Sequence, residues 1–298
     1  MFLLTLLSAC SGVNTSTGEY RIDNVRIFRD TPVWELAQAV RSQNSRRIAR
    51  LATENSEFIN YQDPLFGTTL LHWAVGTERF NSAEALLIAG ADPNIISTWD
   101  GGTALYLAAG SSWVDNSGNR DPRFVLLLLE FGADPNIAFV GNHNTTPEVG
   151  TTPLMRSIGS GIDKTKALIE WGADINAITE SGNTAVMQAL RHVGSTSMLE
   201  RLEYAYFLIV EMQADITIGY YQIVSAGAGI SDRDRYPVDV LRYWIFPLDC
   251  ERHEIKMKIV DEFTRQGVDY WSTEIHPHQI EIIQRRFPGT WEEYLNKY

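Results

Sequence analysis

One short signature, read five times, constrains this chain more than anything else in it. Gly90-Ala91-Asp92-Pro93-Asn94, Gly132-Ala133-Asp134-Pro135-Asn136 and Gly172-Ala173-Asp174-Ile175-Asn176 each close an apolar run of helical period, and Gln213-Ala214-Asp215 and Gly267-Val268-Asp269 are worn copies of the same mark. Recurrence of this kind is an internal repeat, in which each copy is a supersecondary unit that buries its apolar face only by stacking on a neighbour. The chain is therefore expected to fold as a helical array.

The units also carry an opening mark, Gly-x-Thr, at Gly67/Thr69, Gly101/Thr103, Gly150/Thr152 and Gly182/Thr184. The hydroxyl of Thr69 suits the N-cap of a first helix whose apolar face is Leu70, Leu71 and Ala74. Gly90 then ends a second helix by taking the left-handed backbone that Gly adopts without strain, and Asp92, Pro93 and Asn94 form the following turn. From opening Thr to closing Gly the first and third units span 21 and 20 residues, but the second and fourth span 29. The surplus falls between the two helices, around Ser111 to Asp121 and His192 to Glu200. A further insertion, Phe139 to Val149, lengthens the finger after the second unit: 20 residues separate Gly132 from Thr152, against 13 from Gly90 to Thr103. Insertions that project from a stack either mark a binding edge or are solvated loops, and the sequence leaves both open.

The run Asp63-Pro64-Leu65-Phe66-Gly67-Thr68-Thr69-Leu70-Leu71-His72-Trp73-Ala74, followed by Ala83-Glu84-Ala85-Leu86-Leu87-Ile88-Ala89-Gly90, resembles an ankyrin repeat. The resemblance implies an all-α fold, an α-solenoid of helix-turn-helix units joined by β-hairpin loops, over roughly Thr31 to Tyr270. The family's Thr-Pro-Leu-His opening is kept in part: His72 alone keeps the His and Pro153 alone the Pro. His72 is then expected to serve the hairpin by hydrogen bonding, and Trp73 to pack. The ends read as caps, which an array needs to cover its terminal apolar faces. Thr31 to Val40, with Pro32 suited to an opening turn, and Ser45 to Ala52 form the first pair. Tyr236 to Trp244 and Glu254 to Gln266 form a degenerate last pair, and Pro277 to Tyr298 adds one or two helices with Ile280, Ile282, Ile283, Phe287, Trp291 and Leu295 as covering residues. The expected organisation is a truncated-looking signal peptide over 1–9, lipid attachment and a flexible tether over 10–30, repeats with their N-terminal cap over 31–218, and a degenerate last repeat with a helical cap over 219–298.

The first residues carry an address. Leu7-Ser8-Ala9-Cys10 resembles the lipobox of bacterial lipoproteins, where cleavage precedes a cysteine that becomes lipidated, and a Ser/Thr/Gly segment suited to a tether follows. The basic n-region is absent, so the translation start is expected upstream. The resemblance implies lipidation at Cys10, and Ser11 after the cysteine favours the outer membrane with the body in the periplasm. Several acyl chains hold firmly, since each buried methylene contributes about 0.8 kcal/mol.

Charge and composition narrow the partner. The net charge is −12, and Met1 to Ile218 holds 15 basic against 24 acidic residues, so the repeats are the acidic part. Such a field disfavours nucleic acid and anionic lipid and suits a basic protein surface, or simply keeps the chain soluble. With Cys10 acylated, Cys250 has no disulfide partner and reads as a buried filler beside Trp244, Ile245, Phe246 and Leu248. His276-Pro277-His278 lacks the converging ligand spacing of a metal centre and suits a surface or helix-opening role. No phosphate loop, nucleophile elbow or paired-carboxylate motif is present, so no cofactor, metal, small-molecule substrate or catalysis is expected.

Binding remains. By resemblance to ankyrin arrays, the hairpin tips and first helices form the contact face, with Phe66, Trp99, Asp100, Phe139, His143, Glu180, Tyr220 and Tyr221 at tips and Glu78, Arg79, Phe80, Trp113, Arg156 and Arg191 on helix surfaces or adjoining loops. Aromatic and Arg side chains are the usual anchors of interfaces. The expected function is non-catalytic binding and inhibition of another protein. Bacterial ankyrin lipoproteins of this kind are sometimes paired with secreted antibacterial toxins, including lipases, which suggests an immunity protein; a chaperone or regulator of a resident envelope enzyme is the alternative, and an unrecognised hydrolase the third.

Overall fold

The computed structural model describes residues 16–17, 20–114, 120–141, 147–191, 196–221 and 234–298. Cys10, the segment 1–9, His143 and parts of the three insertions lie outside these residues, and of Tyr221 only the backbone is described. The chain divides into two compact units, Met1–Val149 and Gly150–Tyr298.

The first unit stacks three helix pairs: α1 (Trp34–Arg41) with α2 (Ser45–Glu54), α3 (Leu70–Gly76) with α4 (Phe80–Ile88), and α5 (Ala104–Ala109) with α6 (Arg123–Glu130). First helices pack on first helices, α1 on α3 and α3 on α5, while α2 packs on α4 and α4 on α6. A two-residue antiparallel ladder, β1 (Ser16–Thr17) with β2 (Tyr20–Arg21), precedes them. The second unit holds α7 (Pro153–Ser157) with α8 (Ile162–Glu170), α9 (Ala185–Leu190) with α10 (Met198–Tyr206), α11 (Pro237–Leu241), α12 (Glu251–Arg265), α13 (Pro277–Arg286) and α14 (Trp291–Lys297); a second ladder pairs β3 (Tyr220–Tyr221) with β4 (Asp234–Arg235). No helix among the described residues is long and apolar enough to cross a membrane.

The repeated residues explain the repeated geometry. Thr69, Thr103, Thr152 and Thr184 are all N-caps whose hydroxyls accept the amides of His72, Tyr106, Met155 and Met187, each worth about 1 kcal/mol. Gly90, Gly132, Gly172 and Gly267 follow second helices with φ between +83° and +92°. The next amide folds back five residues, Ala91 to Leu86, Ala133 to Leu128, Ala173 to Leu168 and Val268 to Phe263, which satisfies carbonyls that the helix end would leave orphaned. Gln213 takes the same role with φ +55°, without glycine's freedom, after a five-residue π-turn at Phe207–Glu211. Each Asp of the signature accepts the amide two residues on, Asn94, Asn136, Asn176 and Thr217. Each unit then ties to the next: Asn60 accepts the amide of Asp92, Asn94 that of Asp134, and Asn176 that of Asp215. The signature is therefore a turn and a staple at once, and its stapling role was not legible from the turn residues alone.

Helices form at both ends, at bounds that differ from those expected. The first helix begins at Trp34 rather than in the Thr31-Pro32 turn, and Val33 is its N-cap. The tail makes two helices around Ile283, Tyr294 and Tyr298, with Phe287, Trp291 and Leu295 half-buried against them. The tyrosines, which the pattern of apolar residues did not single out, are the deeper members. Behind them sit two buried cations. Arg242 donates to the main-chain oxygens of Tyr270, at 2.8 Å, and Tyr298, and lies 3.9 Å from the Tyr270 ring centroid. Lys256, fully buried, donates to the Trp244 carbonyl at 2.9 Å and sits 4.0 Å from the Tyr298 ring. Burial, with Arg242 nearby, holds the Lys256 ammonium well below its ordinary pKa, and burial pushes the Tyr270 hydroxyl up to about 12. Cys250 is half-buried at the N-cap of α12, not a buried filler, because a cap position stands at the end of a packed helix. His276 opens α13, its Nδ1 accepting the His278 amide in a capping box with Gln279.

Candidate functional site

The face where tips and first helices meet is clearest in the first unit. Asp63 organises the first tip: its carboxylate accepts the amides of Leu65, Phe66 and Thr68 at 3.0, 2.9 and 2.7 Å. Burial raises its pKa, against the lowering by these three donors. The tips are joined by backbone bonds, Trp99 N–H to the Phe66 carbonyl at 3.0 Å and Val140 N–H to the Gly101 carbonyl at 2.9 Å, and Gln62 bridges the Gly67 and Ile96 carbonyls. Three consecutive tips thus form one connected row.

Within that row the aromatics divide sharply. Phe66 is fully buried, with Trp99 edge-on at 5.0 Å, and Phe139 is 5% exposed, stacked on Tyr106 at 5.4 Å. Neither offers itself to a partner, which corrects the expectation: each is the inward residue that anchors its tip. The outward residues are Leu65, Trp99 and Val140, exposed by 45%, 37% and 57%. Leu65 and Val140 were missed because both neighbour a more conspicuous Phe.

The first-helix surface beside the row is occupied by the chain itself. Ser112 donates to Glu78 at 2.7 Å, the Trp113 amide donates to the Gly76 carbonyl at 2.9 Å, and the Trp113 indole stacks on His72 with centroids 5.6 Å apart and planes 16° from parallel. Glu78 has φ +58°, a strained conformation for a residue with a side chain, and this aims it at Ser112. A Cβ at Gly76 would strike the Trp113 ring, so glycine permits this docking. Behind Trp113, His72 Nε2 stands 3.4 Å from the Asp100 carboxylate, an ion-pair separation without hydrogen-bond geometry, so the expected hydrogen-bonding role of His72 is not met by this nitrogen. Burial opposes the charge on Asp100, but His72, the Gly102 amide and Ser97 together outweigh it and hold the carboxyl below its ordinary pKa.

The remaining predicted residues are dispersed. Arg79 donates to the Arg41 carbonyl and lies 5.3 Å from the Trp73 ring, and half-buried Phe80 packs edge-on against Phe124 with Arg123 over its ring. In the second unit Glu180 is exposed beside exposed Ile178, Arg156 is half-buried on α7, and Arg191 stacks 4.5 Å over Tyr220. Capping explains part of the fourth unit's surplus: Ser197 and Glu200 close a capping box on α10, a Ser-x-x-Glu pattern that the sequence displays. Among the described residues no group of three or more His, Cys, Asp or Glu is placed to hold a metal ion.

Comparison with known proteins agrees with this architecture. Residues 36–138 match the family described as ankyrin repeats (3 copies), a stretch that includes most of the pair read from sequence as a cap. FPV024 of fowlpox virus (strain NVSL), described as an ankyrin repeat protein, is 30% identical over 116 residues, 39% of this chain. The match spans only 17% of that relative's length. The crystal structure of the ankyrin repeat protein EF0377 superimposes with a TM-score of 0.51 at 19% identity, covering 78% of this chain and 98% of its own. The likeness in structure is one of fold.

Proposed function

We propose that this ankyrin-repeat chain is a protein-binding module whose contact surface is the tip row of its first unit, and that it binds and inhibits a partner protein from the periplasmic side of a bacterial envelope. Ankyrin repeats suggest a protein-binding role, and one observation carries the choice of surface: three hydrogen-bonded tips each hold one large apolar side chain outward while a buried neighbour or carboxylate fixes the loop. Exposed apolar groups on preorganised loops bind with little ordering cost. The adjoining helix face is filled by Trp113, which leaves the tips as the accessible part. The envelope address rests on Leu7-Ser8-Ala9-Cys10, with Cys10 as the lipid-bearing residue. Joined to an acidic repeat region, that address favours an immunity protein that neutralises a secreted lipase-type toxin.

The test is a crosslinked pull-down with the full chain from envelope extracts, the partner being identified by mass spectrometry and its affinity then measured with purified protein. Leu65→Ser/Trp99→Ala/Val140→Ser should weaken binding at least tenfold without lowering Tm, since interface anchors contribute about 2 kcal/mol or more. Ile88→Ser/Phe131→Ala, which alters exposed apolar residues at second-helix ends, should bind normally. Equal binding by the tip variant overturns the surface, and full toxin resistance of cells lacking the gene overturns immunity.

A further inference from the structure

A pocket of about 200 Å³ in the second unit is lined by Arg191, Arg201, Tyr220, Arg235, Val240 and Tyr243. In a chain of 37 acidic and 25 basic residues, three arginines and, among the described residues, no carboxylate line one small cavity. None of the three makes an ion pair among the described residues, and Arg191 and Arg201 are each held in place by something other than an anion. Arg201 donates to the Leu190 carbonyl, which also accepts the Trp244 indole N–H, and its guanidinium lies 5.2 Å from the Trp244 ring. Its Nε is buried with no acceptor. Arg191 uses its flat face on Tyr220, which leaves the in-plane N–H donors for another group. Arg235 is exposed on β4, and its backbone is paired directly with Tyr220.

An orphaned buried donor costs free energy, and an anion among the three arginines would supply its missing acceptor. We propose that this pocket binds a phosphate group. The cavity is smaller than the roughly 300–1,000 Å³ of sites for drug-sized ligands, which suits a compact headgroup. Arginine forks match phosphate oxygens bidentately, and three of them balance a dianion better than a single carboxylate. The phosphate is either free in solution or the headgroup of an anionic lipid, and the site does not rest on the partner-binding reading.

Isothermal titration of the full chain with inorganic phosphate, acetate, and vesicles of phosphatidic acid in phosphatidylcholine tests the assignment. Saturable binding of phosphate or of the phosphatidic acid vesicles is expected, with acetate at least tenfold weaker. The double variant Arg191→Gln/Arg235→Gln, altering two arginines that make no described buried bond, should lose at least tenfold in affinity with unchanged Tm in phosphate-free buffer. Arg252→Gln, on the exposed side of α12, should bind as the parent does. Saturation by phosphate identifies a free ligand, and saturation by vesicles alone identifies a lipid headgroup. Absence of both, binding that survives the double variant, or acetate as strong as phosphate overturns the proposal.

Discussion

The central repeats and the C-terminal cap solve the same problem, closing an apolar helix face, with opposite chemistry. In the repeats the polar work is done by small devices that recur from unit to unit: a Thr hydroxyl reaches an amide three residues on, an Asp reaches two residues on, and an Asn reaches one unit on. In the cap it is done by pairings that do not recur. Arg242 reaches Tyr270 and Tyr298, Lys256 reaches Trp244, Tyr294 donates to the Phe246 carbonyl at 2.6 Å, and Gln279 donates to the Arg242 carbonyl at 2.7 Å. Recurring devices are modular, so losing one is cheap. A buried polar network concentrates stability in a few residues and makes it sensitive to pH.

Replacing Arg242 by Ala should therefore cost most. It leaves the main-chain oxygens of Tyr270 and Tyr298 without this donor and opens a void under an aromatic ring, so we expect a loss of about 3–5 kcal/mol in urea unfolding. A loss below about 1 kcal/mol would erase the contrast between the two regions. Asp63→Ala removes the acceptor of three amides, two of them in buried bonds, and should cost about 2 kcal/mol. Thr152→Ala, by the same measurement, should cost only about 1 kcal/mol.

The pH dependence separates the regions further. Lys256 has a folded-state pKa well below its ordinary 10.5, so the unfolded chain binds more protons between the two values and stability rises with pH across that window. Tyr270 runs the other way: with its folded pKa raised from 10.0 to about 12, stability falls once pH exceeds 10. Lys256→Met should abolish the rise while leaving the fall, and midpoints of urea unfolding measured across alkaline pH check both. The smallest effect is expected at Gln213, where Gly should relieve the left-handed backbone and stabilise by roughly 0.5–1 kcal/mol.

The same contrast explains what was legible in sequence. The repeat signature, the Thr caps and the closing glycines are short-range, so a reader of the chain recovers them from spacing alone. Pairs such as Arg242 with Tyr298, 56 residues apart, leave no local pattern. At the candidate site side-chain direction was not legible: Phe66 and Phe139 drew attention by size and turn inward, while Leu65 and Val140 stand out. Trp113 was visible as an aromatic in an insertion, yet only its stacking on His72 and the bare Gly76 beneath it reveal that it covers the helix face.

Hydrogen–deuterium exchange of the full chain, free and bound to its captured partner, tests the central claim most directly. The account predicts added protection across residues 63–68, 97–102 and 139–141 with little change at the ends of α4 and α6; protection confined to those helix ends, with the tips exchanging as in the free chain, would contradict it.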